Sequence, residues 1–384
     1  MISYLLPTRN RPDRLAATLE ALGRLSAAAH GPVGGAEVLI VDDASAVPVE
    51  PEPVLRNGMP VRVLRRRRRE GAAARNAAAA AARGEWIVML DDDSHSLDEA
   101  AVSVVADAGD DVAAIGAEIL LPDGRHEDGG LPEVFVGCGA VIRRQAFLEL
   151  GGYDPSFHYY AEEYDLCARL LQAGWRIIHD WRLRVRHERD AVGRDMNMIL
   201  HRLVRNNGWV MQRYAPEPQR QAALAEVIGR YRRIAERERA LAGYEQGLAE
   251  LNATLPSQPR RPMDEVLWDR FTGLAHARAA LHHEPALRAQ PVAIVDEGKN
   301  AWVIRQALDE LSQCRITDER QAQVWVIGTM SPGPMMDAWA RRRREHRRII
   351  RPWRLAGASV AVDAGVAVSP WAWNHRDELG HGDR

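Results

Sequence analysis

The chain has 384 residues, 27% of them charged, and a formal net charge of −2. That length allows more than one core, and the even charge gives no reason to expect a nucleic-acid partner. Cys138, Cys167 and Cys314 match no zinc or redox spacing, no stretch reaches the ~20 apolar residues of a membrane span, and the N-terminus reads as a strand rather than a signal peptide, so a cytoplasmic setting is expected.

Residues 2–6 read as a first strand stopped by Pro7, followed by a polar turn over 8–13 and helical spacing over 14–25. Residues 38–41 are a second apolar strand, ending in Asp42-Asp43-Ala44-Ser45, and 61–64 a third. Residues 71–83 form an alanine helix that carries Arg75 and Asn76 and closes at Gly84. The buried strand over 86–90 then runs straight into Asp91-Asp92-Asp93. The order predicts a doubly wound α/β domain with parallel strands, whose carboxyl ends are where such sheets bind ligands. Three adjacent carboxylates repel one another, and a hard divalent cation holding phosphate oxygens would stabilise them there. The alternative is a solvated acidic turn with Ser94 or Ser96 as a helix cap.

Further motifs follow: Gly137-Cys138-Gly139-Ala140, Gly151-Gly152-Tyr153-Asp154 and Ala161-Glu162-Glu163-Tyr164-Asp165-Leu166. Together with Pro7-Thr8-Arg9-Asn10-Arg11, Val41-Asp42-Asp43, Ala74-Arg75-Asn76 and the three acids, they resemble the family 2 glycosyltransferases of the GT-A fold, over about residues 1–215.

The resemblance implies a metal-dependent inverting glycosyltransferase of hexosyltransferase type. It would use a nucleotide-diphosphate sugar, a UDP-sugar in preference, and a saccharide, lipid-linked or small-molecule acceptor. Asp43 would hold the base, with Asp42, Pro7, Thr8 and Arg9 around it, and Arg75 the pyrophosphate or sugar. Asp93 would ligate Mn2+ or Mg2+, Asp91 would reach the sugar or the metal beside Asp92, and His187 would be a third ligand. The Gly139 region would line the acceptor pocket. Glu163 stands where relatives carry the aspartate that takes the acceptor proton, with Glu162 or Asp165 as substitutes; Asp165 otherwise braces the site. Two alternatives stay open. A nucleotidylyltransferase would want a glycine-rich loop after the first strand, and residues 7–12 contain no glycine. An inactive scaffold is kept open by glutamate in place of aspartate at 163.

Beyond the motifs, residues 197–214 read as a helix, 219–255 as one or two amphipathic helices, 256–262 as a Pro/Arg linker and 263–287 as another helix. Strands at 292–295, 324–327 and 359–362, with helices at 301–311 and 335–347, suggest a small α/β unit for oligomerisation or acceptor recognition. The division expected is 1–215, 216–288 and 289–384. Residues 123–130 read as a mobile loop in which His126 has no evident partner. Residues 328–334 offer a helix N-terminus for a phosphate. The arginine runs at 65–69 and 341–348 read as solvated faces answered by acids; the second, beside Trp339, Trp353, Trp371 and Trp373, is otherwise a surface for peripheral contact with the inner face of a membrane or, less in keeping with the charge, for nucleic acid.

Overall fold

The computed structural model describes residues 1–189, 195–345 and 347–355. The N-terminal part alternates β1 (Ile2–Thr8), α1 (Pro12–Leu22), β2 (Ala36–Asp42), β3 (Val61–Arg65), α2 (Ala74–Ala81) and β4 (Trp86–Met89). After the acids come β5 (Ser94–Ser96), α3 (Ala100–Asp107), β6 (Val112–Leu120), β7 (Ala140–Arg143) and α4 (Arg144–Glu149), then α5 (Glu162–Gln172) and β8 (Arg176–His187). These strands form one sheet of eight, in the order β3-β2-β1-β4-β7-β6-β8-β5.

The α/β class is as expected, but the sheet is mixed. β3, β2, β1 and β4 are parallel, whereas β7 runs antiparallel to β4 and β6, and β5 antiparallel to β8. β1 also runs through Pro7. Leu90 N donates to Leu5 O and Asp43 N to Thr8 O, so odd residues of β1 bond towards β4 and even ones towards β2. Pro7 therefore faces the β4 side, beyond the last β1–β4 pair at Leu5 and Met89, where its missing N–H costs no ladder bond.

The helices after the sheet are α6 (Met196–Tyr214), α7 (Glu217–Arg237), α8 (Leu241–Thr254), α9 (Glu265–Thr272), α10 (Leu274–Leu281) and α11 (Ala286–Ala289). The single helix expected over 263–287 is broken at Gly273, which has a φ of 92°. Last come β9 (Pro291–Val295), α12 (Ala301–Asp309), β10 (Arg315–Ile316), β11 (Val324–Ile327), α13 (Pro332–Arg342) and β12 (Arg348–Ile350). Their sheet is all parallel, in the order β10-β9-β11-β12. The strand expected at 359–362, and Trp371 and Trp373, lie outside the described residues. The late arginines are answered by acids: Arg341 and Arg342 by Asp296, Arg342 also by Glu319, and Arg348 by Glu284. Among the described residues no helix is long and apolar enough to cross a membrane.

One core runs from the N-terminal sheet through α5, α6 and α9 into β9 and β11, so the two sheets share buried contacts. A polar clasp adds to it. His126, given no partner above, has its Nδ1 2.5 Å from Asp337 Oδ1 on α13 and its Nε2 3.1 Å from Glu118 Oε1, and its ring stacks on Trp181. Burial alone would lower its pKa, but Asp337 and Glu118 raise it to about 9. A histidine held above its unfolded value of about 6.5 contributes all its stability below that pH and loses it as pH rises through about 9. The difference corresponds to at most ~3 kcal/mol. Thermal midpoints should therefore fall between pH 6.5 and 9 in the natural chain and less steeply in His126→Gln; identical slopes would remove this claim.

Candidate active site

The acids end β4 at the carboxyl edge of the parallel strands. Three carboxylates so close need compensating charge, and the chain supplies part of it. Arg11, at the start of α1, donates to Asp92 Oδ1 at 2.5 Å and to Asp93 Oδ2 at 2.6 Å. Asp92 is turned inward: Thr8 Oγ1 donates to its Oδ2 at 2.8 Å, and Thr18 Oγ1 to its main-chain oxygen at 2.8 Å. Burial raises the Asp92 pKa to about 6, against the pull of Arg11 and Thr8. Arg75, buried on α2, donates to Leu90 O at 2.9 Å and pairs with Asp91. Arg9, expected beside the nucleotide base, is exposed, and it is Arg11 that grips the acids. Its place directly before an acid-bearing helix start was the available signal.

His187 reaches this cluster through strand pairing. β5 folds back antiparallel to β8 with Ser94 opposite His187, and Glu188 N donates to Asp93 O at 2.8 Å. His187 Nε2 then lies 3.4 Å from Asp93 Oδ1, and Nδ1 lies 2.7 Å from Glu127 Oε2. Burial would raise the Asp93 pKa, but hydrogen bonds from His187 and Arg11 bring it well below the usual carboxylate range. Asp91, Cys138 and His187 each bring one potential ligand atom to within 4.8 Å of the others. Carboxylates with an imidazole suit Mn2+ or Mg2+, with the nitrogen favouring Mn2+. Burial pushes the Cys138 thiol up to about 11, so it rests neutral. Asp91, whose side chain is 36% exposed, leaves the cluster open to solvent. Two internal arginines thus answer the inner side of the acids, and the outer donors fit a divalent cation.

Asp42 and Asp43 are both buried. Asp42 accepts from Ser45 N at 2.8 Å and Arg65 at 3.2 Å, a turn-holding role that leaves it facing the protein. Asp43 accepts from Glu70 N at 2.7 Å and Gly71 N at 3.0 Å. Gly71 has a φ of 65°, and a Cβ there would lie 1.9 Å from His158 Nδ1, so only glycine fits between Asp43 and the turn before α5. Beside it opens a groove of about 740 Å3 lined by Arg66, Arg68, Arg69 and His158 among others.

That turn is strained. His158, Tyr160 and Ala161 all have positive φ, and the Asn206 amide on α6 holds it by donating to the carbonyls of Phe157, Tyr159 and Tyr160 at 2.7–3.0 Å. It launches α5 with Glu162 and Glu163 at its N-terminus, where the helix dipole favours acids. Burial raises Glu162 well above the usual range, with Glu163 adding to it and Arg75 opposing, and its Oε2 has no partner. Burial raises Glu163 as well, countered by the α5 backbone, Lys299, Arg75 and the Glu162 carboxyl. Lys299, the sole lysine in the sequence, comes from the loop after β9 and lies 4.0 Å over the Tyr164 ring. Burial and Arg230 push it down to about 7, against the pull of Glu163. Asp165 is fully engaged, by Tyr214 at 2.7 Å, Arg213 at 2.9 Å and Arg169 at 2.9 Å.

Burial raises the Tyr159 hydroxyl to about 12, and the charges acting on it are Arg75, Asp91, Asp43 and Arg69. Asp43, Asp91 and Arg75 thus all act on this one hydroxyl, and Arg75 acts on Glu162 and Glu163 as well. Gly139 is accounted for by packing: a Cβ would lie 2.7 Å from Ile119 Cγ1, so the residue lets β7 close on β6.

Residues 3–125 match the family model described as glycosyl transferase family 2. The match lies within the N-terminal segment whose motifs resemble the same family. The mixed α/β sheet and the helical segment after it agree with the α/β class that the motifs implied. Among solved structures, the chain is similar to GalNAc-T7 with UDP, GalNAc and Mn2+, at 18% identity and a TM-score of 0.46, over 69% of this chain and 59% of that one. It is also similar to the mannosyltransferase PcManGT from Pyrobaculum calidifontis in complex with GDP-Man and Mn2+ (17% identity, TM-score 0.43, over 80% and 84% of the two chains). A third is S. aureus TarS 1-349 in complex with UDP-GlcNAc (16% identity, TM-score 0.47, over 80% and 90%). The family match thus covers less than half of this chain, and the chain spans 59% of the GalNAc-T7 structure. No curated protein matches the sequence.

Proposed function

We propose that the chain is a metal-dependent, inverting glycosyltransferase that transfers a hexose from a nucleotide-diphosphate sugar, a UDP-sugar in preference, to an acceptor hydroxyl. The observation that carries this reading is the placing of Arg75, Asp91, Asp93 and His187 together at the carboxyl edge of the N-terminal sheet, with Asp43 at the end of β2 and the buried Glu162 and half-buried Glu163 opening α5. Asp43 receives the nucleotide base at the mouth of the arginine-lined groove. Asp93, Asp91 and the Nε2 of His187 are the residues that would hold Mn2+ or Mg2+. When bound, such an ion offsets the charge left on the departing diphosphate.

Glu162 is the more buried of the pair. Glu163, the less buried and with Lys299 acting on it, takes the proton of the acceptor hydroxyl as the oxygen attacks the anomeric carbon. Arg75 holds Asp91 and the strand end in place and presents positive charge to the donor. Asp165, saturated by three donors, ties α5 to α6 and takes no part in proton transfer. Displacement in line with the leaving group inverts the anomeric carbon.

Incubation with UDP-, GDP- and dTDP-sugars without acceptor, followed by proton NMR of the released sugar, tests the reading. Slow Mn2+-stimulated hydrolysis of an α-linked UDP-sugar to the β anomer is expected. Release of the α anomer, or no hydrolysis of any donor, would contradict it.

A further inference from the structure

The C-terminal sheet has the parallel order in which ligands sit at the carboxyl ends of the two central strands. Here those ends, the loops after β9 and β11, are occupied by the protein itself. Gly298 N donates to Gly328 O at 2.9 Å and Met330 N to Lys299 O at 2.9 Å, while Lys299 lies on Tyr164 of α5. The N-terminus of α13, which the sequence offers as a phosphate seat, is closed in the same way. Ser331 Oγ donates to Gly129 O at 2.9 Å, and a Cβ on Gly333 would lie 2.4 Å from Glu127 O. One turn later, Asp337 accepts from His126 N at 3.1 Å. The expected mobile loop is thus pressed against α13 along residues 126–130.

Its central side chain is Glu127. Oε1 accepts from Arg189 at 2.8 Å, and Oε2 lies 2.7 Å from His187 Nδ1. With Nδ1–H donating to Glu127, His187 turns Nε2 towards Asp93 Oδ1, 3.4 Å away. A carboxylate on the far nitrogen is how a metal-binding histidine is fixed in ring orientation and tautomer. We propose that Glu127 is the positioning residue of the cation site, and that the C-terminal unit holds it there through α13. The C-terminal unit is then a working part of the transferase site, which no family match covers. The inference rests on the function proposed above.

Mn2+ titration of the full chain in the presence of UDP, read by the electron paramagnetic resonance of free Mn2+, tests it without an activity assay. Glu127→Ala is expected to weaken Mn2+ binding by about 10–100-fold. Glu127→Gln, whose amide oxygen still accepts from Nδ1–H, should restore most of that loss. Gly333→Ala, which touches no ligand but displaces the Glu127 main chain, should also weaken binding, and carries the test if Glu127→Ala does not fold. Unaltered Mn2+ affinity in these variants, with binding intact in the natural chain, would overturn the inference alone. No Mn2+ uptake by the natural chain with UDP would overturn the functional reading and this inference with it.

Discussion

Glu163→Gln is expected to lower turnover by about 10²–10⁴-fold, the usual contribution of a positioned general base, with nucleotide affinity little changed. Glutamine matches the size of glutamate and keeps its place on α5 but cannot accept the proton. The neighbouring carboxyl is not expected to take over, because Glu162 is the more buried of the two and burial raises its pKa well above the usual range. Glu162→Gln preserves a neutral hydrogen-bonding group beside Glu163, so it should cost less. Steady-state kinetics on the two variants separate the roles. Turnover in Glu163→Gln within a few-fold of the natural chain would move the base elsewhere, with Glu162 next in line.

Asp93→Asn is expected to abolish the response of nucleotide binding to Mn2+ and to lower turnover at least 10²-fold, on the scale of losing a metal's charge stabilisation. The substitution removes the charge that faces both Arg11 and His187. The fold should survive it. Arg11 retains Asp92 at 2.5 Å, and His187 retains Glu127 at 2.7 Å. Thermal midpoints and calorimetry on the same samples distinguish lost metal response from lost structure. An Asp93→Asn protein that still binds nucleotide more tightly with Mn2+ would place the ligand set elsewhere.

The N-terminal architecture was legible because its strands are short apolar runs that each end in acid or a turn. Two features were hidden. The antiparallel β7 carries the same apolar pattern as a parallel strand, and periodicity does not encode direction. Gly273 lies inside the stretch that reads as one helix, and its φ of 92° breaks it. Asp43, Arg75, Asp93, His187 and Glu163 were singled out because the motifs sit at strand ends and at helix starts, and the structure brings Asp93 to His187 and Arg75 to Asp91. Arg11 was not singled out, since which arginine of a turn points inward depends on how the chain enters α1. Glu127 and Lys299 were invisible for another reason. Their partners, His187 and Tyr164, lie 60 and 135 residues away, and the loop holding Glu127 reads as polar and glycine-rich unless α13 is known to cover it.

Calorimetric titration of UDP into the natural chain, with and without Mn2+, examines most directly whether these acids converge to seat a cation and its nucleotide. Binding is expected to tighten about tenfold or more with the ion, which bridges acids and diphosphate when bound. UDP affinity that is the same in Mn2+ and in chelator would contradict it.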